Sequence, residues 1–414
     1  MDKQMGVAFW RLWTLTAMSN LADGILKVAL PLVAIGFTRS PTLIAGLTFM
    51  FTLPWLVFAL PAGAVTDRID RRTLMLVANT VRASLLSLLL AAMALHLSSI
   101  WLLYLVALVT GVAETFYDTA AQAILPQIVS RDHLERANSL LYAAEMSALE
   151  LIGPPVAGLL VMVAAGLAVG SPVLLWAGAL VMLVLVRGPF RVQHGEGRTR
   201  ATLRGDVAEG LRFLTRHTML RTIMVMTGVF NFASSATMAI LVLYAVGPGS
   251  VLQLTGQQYG WLLSAVAAGC LAGSLLAETV GRVLGRARTI ASSYIFGGLL
   301  VGLPALVSAP SVIGAVFFVG GFGMTIGNIA TLSLRQRITP ERLLGRINSG
   351  HRLVAYGTKP LGAFAGGVLA QFLGLRAVFA IMGVLALAAL LGMTQLTDRA
   401  IESVERVAAA ASTG

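Results

Sequence analysis

The chain has 414 residues, of which 57% are hydrophobic and only 12% are charged, and its formal net charge is +12. Soluble domains usually carry about 25% charged residues, so this composition argues against a soluble domain. Apolar runs longer than about 18 residues, each a candidate membrane span, recur along the whole chain. Backbone polar groups inside a bilayer must be satisfied within the segment, so we expect every span to be a helix and the protein to be an all-α membrane protein.

Twelve apolar runs predict twelve transmembrane helices. The first run is too long, and its polar break too deep, for a cleaved signal peptide. The single cysteine, Cys270, excludes an intrachain disulfide. The predicted spans are 9–37, 41–64, 73–96, 99–122, 138–164, 171–187, 221–246, 258–280, 290–308, 311–333, 348–372 and 375–396.

The positive charge could indicate a nucleic-acid partner, but its distribution favours a membrane orientation. If the N-terminus is inside, most arginines fall in the predicted inner loops, and only Arg39 and Arg376 fall in outer loops or at their edges. The positive-inside rule then places both termini in the cytoplasm. The sequence has no GxxxxGK[ST] phosphate loop, so ATP hydrolysis by that route is not expected.

A repeat divides the chain. The segment LPQIVSRDHLERANS (125–139) matches LRQRITPERLLGRINS (334–349) with one inserted residue. Each segment follows the fourth span of its half, which predicts a parallel six-plus-six repeat. In the linker, Val207, Leu211 and Leu214 lie on one helical face, which indicates an amphipathic helix on the membrane surface or a docking site for a soluble partner. The predicted domains are an N-terminal six-helix bundle (1–187), this linker (188–220), a C-terminal six-helix bundle (221–397) and a cytoplasmic tail (398–414).

The stretch GAVTDRIDRRTLML (63–76) is a charged loop between the second and third spans. It resembles the G-x-x-x-D-R-x-G-R-R loop of the major facilitator superfamily, although Asp70 stands where that family usually has glycine. The resemblance implies the major facilitator fold and a contact of the loop with the eleventh helix near Asn348. The matching positions are Gly63, Asp67, Arg68, Arg71 and Arg72.

The chemistry of this loop can also be read from its residues. Gly63 would allow another helix to approach closely, and Asp67 could accept hydrogen bonds from a neighbouring helix start. Arg71 needs an acid, for which Asp118 is the candidate. Such a cluster would close the inner side of the protein; alternatively, these residues only set the topology.

The segment IGPPVAG (152–158) in the fifth span resembles the G-P-x-x-G-G motif of exporters, with Gly153, Pro154 and Gly158 matching. Glycine and proline together bend a helix and allow close packing, and the resemblance implies antiport. Residues 113–146 and 206–221 resemble the proton-coupled drug-efflux branch that includes macrolide, tetracycline and siderophore exporters. The resemblance extends over essentially the whole chain.

Charged residues inside the spans are costly in hydrocarbon and mark functional positions. Six acids and three bases fall there, so not all the acids can be paired, and a buried carboxylate without a partner binds a proton. The acids are Asp23, Glu114, Asp118, Glu145, Glu150 and Glu278, and the bases are Lys27, Arg82 and Lys359.

Asp23, Glu114 and Glu145 are the candidates for proton coupling, with Lys27 and Arg82 as their charge partners. Lys27 follows Asp23 by four residues and shares its helical face, so a structural Asp23–Lys27 pair is an equal alternative. Arg82 could neutralise Glu114 or Asp118. Glu114 is favoured as the carrier, and Glu145 is a second carrier or a contact for a cationic substrate.

The second half offers neutral polar and aromatic groups in its spans. Asn231, Phe232, Tyr244 and Asn328 are candidates for the substrate cavity, although each could equally serve packing. No metal and no cofactor is expected.

The sequence therefore predicts a monomeric secondary transporter of the inner (cytoplasmic) membrane, with a small molecule, protons and lipid as its partners. Its expected activity is proton-antiport efflux of amphipathic or cationic drugs, antibiotics or siderophore-like metabolites by alternating access. An importer or facilitator on the same fold is the alternative. Short outer loops and the lack of an HExxH or catalytic-triad pattern disfavour a membrane enzyme or signalling protein.

Overall fold

The computed structural model describes residues 6–66, 68–130, 133–185, 212–339 and 344–413. Within these ranges the chain is helical apart from short connections and one isolated bridge between Val246 and Leu254. The helices up to the middle of the chain are α1 (Gly6–Ala34), α2 (Pro41–Thr66), α3 (Arg71–Ala94), α4 (Ile100–Ile128), α5 (Leu134–Met146), α6 (Gly153–Val163) and α7 (Ala165–Leu185). The later helices are α8 (Thr218–Ala245), α9 (Gly256–Leu284), α10 (Arg286–Gly302), α11 (Pro310–Ile338), α12 (Leu344–Leu373), α13 (Leu375–Ala388) and α14 (Asp398–Thr413).

Ten helices in the described part of the chain are long and apolar enough to cross a membrane. One of them, Arg136–Val163, joins α5 and α6 through a π-helical segment, Ser147–Ile152. Two predicted spans fall on helices outside this set: α10 has only 17 residues, and α12 contains several charged side chains. The all-α multi-pass membrane architecture predicted from composition is confirmed.

Large apolar side chains cover the outside of the helices. Leu275, Phe372 and Val384 are exposed by 83%, 80% and 71%. Apolar side chains exposed in this number would drive aggregation in water. In a bilayer it contacts lipid, and the fold must be held together by packing and by polar contacts inside the helix bundles.

The described helices form two compact units. The first contains α1 to α7 together with Val242–Ser264, and the second contains the other described residues from 212 onward. In the first unit α1 packs against α6, α7 and the π-helical segment, while α3 packs against α4 and α7. Phe9, Met75 and Tyr117 lie in its buried core. This packing brings the polar faces of α1, α3 and α4 together.

In the second unit α10 packs against α11 and α13. Asp398, at the start of α14, accepts a hydrogen bond from the backbone N–H of Ala287 at 3.0 Å. A carboxylate is favoured at this helix start because the first N–H groups of α10 have no partner within the helix.

The predicted amphipathic helix of the linker is described only in part. Leu214 is buried, whereas Val207 and Leu211 lie outside the described residues.

Candidate functional site

A group of ionisable side chains from three helices lies inside the first unit. Arg82 on α3 donates to Asp23 on α1 at 3.2 Å, and Lys27 on α1 donates to Glu114 on α4 at 2.8 Å. Asp118, one turn after Glu114 on α4, interacts electrostatically with Glu114, Arg82 and Asp23. We call these five residues the charge cluster. Four of the five are positions that the sequence analysis singled out for proton coupling or as charge partners.

The pairing inside the charge cluster differs from the sequence alternatives. Asp23 pairs with Arg82 rather than with Lys27, and Arg82 forms its ion pair with Asp23 rather than with Glu114 or Asp118. Asp23 and Lys27 share a face of α1, but α3 and α4 both pack near that face. Each side chain therefore finds an oppositely charged partner on a neighbouring helix, which spacing within one helix could not reveal.

Arg82 is buried completely, and aromatic rings as well as a carboxylate surround it. Its guanidinium carbon lies 5.2 Å from the ring centre of Tyr117 and 5.6 Å from that of Trp176. Both distances are within the range of a cation–π interaction. Arg82 thus connects α1, α3, α4 and α7, and it fixes where the carboxylate of Asp23 lies.

The charge cluster contains three carboxylates and two permanent cations. When every member is ionised the cluster carries one net negative charge, and burial makes such an uncompensated charge expensive. Binding one proton would make the cluster neutral. Since the groups interact strongly, that proton would belong to the cluster as a whole rather than to one residue.

Two further acids lie on the fifth transmembrane helix. Glu145 on α5 is half-buried and acts electrostatically on Asp118. Glu150, in the π-helical segment, is exposed and acts on Lys27. The structure therefore places the candidate Glu145 at the edge of the charge cluster.

The loop between α2 and α3 differs from its predicted role in two respects. Arg71 donates to the backbone oxygen of Ala123 on α4 and forms no ion pair with Asp118 among the described residues. A Cβ built on Gly63 would meet no described atom within 4 Å, so the expected close helix approach is not seen there. Arg68 is exposed, and Asp67 lies outside the described residues, as does the side chain of Asn348.

Two residues of this loop instead cap helices. The Asp70 carboxylate accepts the backbone N–H of Thr73 at 3.0 Å, which makes Asp70 the N-cap of α3. Arg72 donates to the backbone oxygens of Leu183 and Val184, at 3.0 and 2.7 Å, at the C-terminal end of α7. Cations are favoured at that end of a helix. Asp70, the residue that departs from the family pattern, is therefore a helix cap. An aspartate directly before a predicted helix is a common N-cap, so the sequence could have identified this role.

The exporter-type motif forms the transition from the π-helical segment to α6. Pro155 has no N–H to donate to the carbonyl of Leu151, and the hydroxyl of Ser264 on α9 donates to that carbonyl instead, at 2.7 Å. A π-helical turn inside a helix is uncommon and often marks a functional position. Here it adjoins Gly153 and Pro154.

The glycines of this region make backbone-to-backbone contacts. A Cβ on Gly24 of α1 would lie 2.4 Å from the oxygen of Leu149, and one on Gly153 would lie 2.8 Å from the Cα of Gly24. Likewise, a Cβ on Gly158 would approach the oxygen of Gly256 on α9 to 2.1 Å. No side chain fits at these positions, so the motif holds the fifth transmembrane helix against α1 and against the start of α9.

The second unit contains a cavity of about 500 Å³ between α8, α10, α11 and α12. Asn231 and Asn328 line it. Phe232 and Tyr244 do not: the Phe232 carbonyl packs against Gly362, and Tyr244 is buried in the first unit.

The lining of this cavity also includes residues that the sequence analysis did not select as substrate contacts. Arg335, His351, Arg352 and Lys359 all line it. Arg335 lies two turns after Asn328 on the same face of α11. Arg352, Tyr356 and Lys359 are spaced so that they lie on one face of α12. This spacing could have identified the basic face of α12 from the sequence.

Comparison with known proteins identifies relatives over nearly the whole chain. The profile of a family described as transmembrane secretion effector matches residues 5–412. The multidrug efflux pump Tap of Mycolicibacterium fortuitum is 28% identical over 378 residues, which cover 87% of this chain and 88% of Tap. Macrolide efflux protein A of Streptococcus pyogenes is 21% identical and covers 91% of this chain and 93% of its own.

Solved structures resemble the fold. The nucleoside transporter NupG superposes with a TM-score of 0.73 at 13% identity, covering 94% of this chain and 99% of its own. A bacterial homologue of the iron transporter ferroportin gives 0.71 at 14% identity, covering 96% and 98%. At these identities the likeness concerns the fold alone.

Proposed function

The chain belongs to the transmembrane secretion effector family, in the drug-efflux branch of the major facilitator superfamily, and from this premise we propose that it is a proton-driven exporter of amphipathic small molecules. It exchanges protons for drugs, antibiotics or siderophore-like metabolites by alternating access. The observation that carries the proposal is the charge cluster, in which three carboxylates surround two cations inside the first unit.

The proposed proton step follows from the charge count. With one proton bound the cluster is neutral and tolerates burial; after release it carries a net negative charge and favours a state that water reaches. The Asp23–Arg82 and Lys27–Glu114 pairs are the elements that rearrange between these states. Asp23 supports this role because its second carboxylate oxygen is buried and accepts no hydrogen bond from a described residue.

We propose twelve spans with both termini in the cytoplasm, in the inner membrane. The arginines at the ends of α3, α9, α10 and α11 support this orientation, and α10 and α12 complete the second set of six. In this orientation the contact of Gly158 with Gly256 lies on the outer side. Closing that side is the role proposed for the exporter-type motif.

Neutralising either paired carboxylate tests the proposal. In inverted membrane vesicles with a respiratory proton gradient, Glu114→Gln and Asp23→Asn are each expected to lower gradient-dependent dye transport by about a hundredfold, the lower end of the effect of losing a general acid–base group. The matched control is Glu278→Gln: Glu278 is exposed and pairs with Arg282 on its own helix, so its loss should change transport little. Full gradient-dependent efflux in both Glu114→Gln and Asp23→Asn would rule out this proton path.

A further inference from the structure

The cavity in the second unit is large enough for a small amphipathic molecule. Ligand sites for drug-sized molecules measure roughly 300–1,000 Å³, and this cavity measures about 500 Å³. Phe230, Tyr294 and Tyr356 provide aromatic surface in its lining, and Asn328 and Thr331 provide polar groups. Aromatic walls with a few polar groups are the usual composition of such a site.

The charge of this lining has a single sign. Arg335, Arg352 and Lys359 contribute three basic side chains, and no aspartate or glutamate is among the described residues that line the cavity. The only acid on the described helices α8 to α13 is Glu278, which is exposed and pairs with Arg282. The described lining therefore places positively charged side chains beside aromatic rings.

Tyr356 positions two of these cations together. The Lys359 ammonium lies 4.8 Å from the centre of the Tyr356 ring, and the Arg352 guanidinium carbon lies 5.5 Å from it. Both belong to one face of α12, because the three positions are four and three residues apart. Two cations beside one aromatic ring can bind an anionic group and stack on the flat molecule that carries it.

We propose that this cavity binds the acidic group of the transported molecule, so that the preferred substrates are amphipathic molecules with a carboxylate or a similar anionic group, including zwitterions. Arg352 and Lys359 bind the anion, and Tyr294 and Tyr356 contact the apolar part. The inference rests on the proposed transport function but narrows its substrate class, since purely cationic amphiphiles should bind weakly here.

A matched pair of dyes tests the inference. Rhodamine 19 carries a free carboxylate, and rhodamine 6G is the same molecule with that group as an ethyl ester. Binding of each dye to the purified full-length protein would be measured by fluorescence anisotropy. We expect rhodamine 19 to bind about tenfold or more tightly than rhodamine 6G, the size expected for charge-assisted hydrogen bonds.

Variants localise the preference. Arg352→Gln and Lys359→Gln should each weaken rhodamine 19 binding about tenfold and change rhodamine 6G binding by less than about twofold. Asn328→Asp, which adds an acid to the lining without removing a cation, should weaken rhodamine 19 binding and so reduce the preference for the acidic dye. Arg376→Gln is the control, because Arg376 lies outside the cavity and donates to Ser308.

Three results would overturn the inference: rhodamine 6G binding as tightly as rhodamine 19, no binding of either dye, or equal loss of both dyes in Arg352→Gln. The binding assay does not depend on proton coupling. Acid-selective binding without transport would therefore contradict the proposed function and support the site, whereas dye transport without acid preference would contradict the site alone.

Discussion

The Arg82→Met variant is expected to lose about 3–5 kcal/mol of stability, because it removes one partner of a buried ion pair and leaves Asp23 charged in the interior. Arg82 is fully buried and its partner is 4% exposed, so water cannot replace the guanidinium. The loss would appear as a lower unfolding temperature of the purified protein in detergent. The control is Arg282→Met, whose ion pair with Glu278 is exposed and should contribute nothing measurable.

A double variant separates the lost charge partner from the lost packing. Asp23→Asn combined with Arg82→Met removes both charges, so it should recover most of the stability while remaining inactive in proton-coupled transport. If the double variant is as unstable as Arg82→Met, the contacts of Arg82 with Tyr117 and Trp176 dominate instead, and the account of the ion pair would be wrong.

The Gly24→Ala variant is expected to be destabilised and to lose transport, although alanine is normally the better helix former by about 1 kcal/mol. The added Cβ would lie 2.4 Å from the Leu149 carbonyl oxygen, so α1 must separate from the π-helical segment. Overpacking of this kind typically costs about 1–3 kcal/mol and exceeds the gain in propensity. The separation would also displace Asp23, the preceding residue.

Gly281→Ala is the matched control for this prediction. Gly281 also lies inside a helix, α9, but a Cβ there would meet no atom of the described residues within 4 Å. Helix propensity alone should then stabilise the protein slightly. The two alanine variants should therefore shift the unfolding temperature in opposite directions, and a shift in the same direction would show that the glycine contact is not tight.

The sequence predicted the all-helical membrane architecture because the hydropathy of each stretch can be read from that stretch alone. Long apolar runs must become helices in a bilayer, and each run could be assessed without its neighbours. The two weakest assignments, α10 and α12, are a short helix and a helix with charged residues near one end. Helix α10 falls short in length, whereas Arg352 and Lys359 of α12 line the cavity of the second unit.

The candidate site was predicted by residue type but not by pairing. Charged residues in the apolar runs identified Asp23, Lys27, Arg82 and Glu114, because each is costly in hydrocarbon. The partner of each charged residue lies on a different helix. Which residues meet depends on how each helix is rotated, and this rotation is set by packing that the sequence does not show. For the same reason Arg71 contacts the Ala123 carbonyl rather than Asp118, and the basic face of α12 was missed.

Proton movement coupled to substrate movement is the defining property of the proposed antiporter. Purified protein in liposomes that contain a pH-sensitive dye would be given a substrate gradient and no initial pH gradient. We expect protons to move opposite to the substrate in the wild-type protein, and Glu114→Gln to move no protons. Substrate flux without proton movement, or with protons moving in the same direction as the substrate, would contradict this expectation.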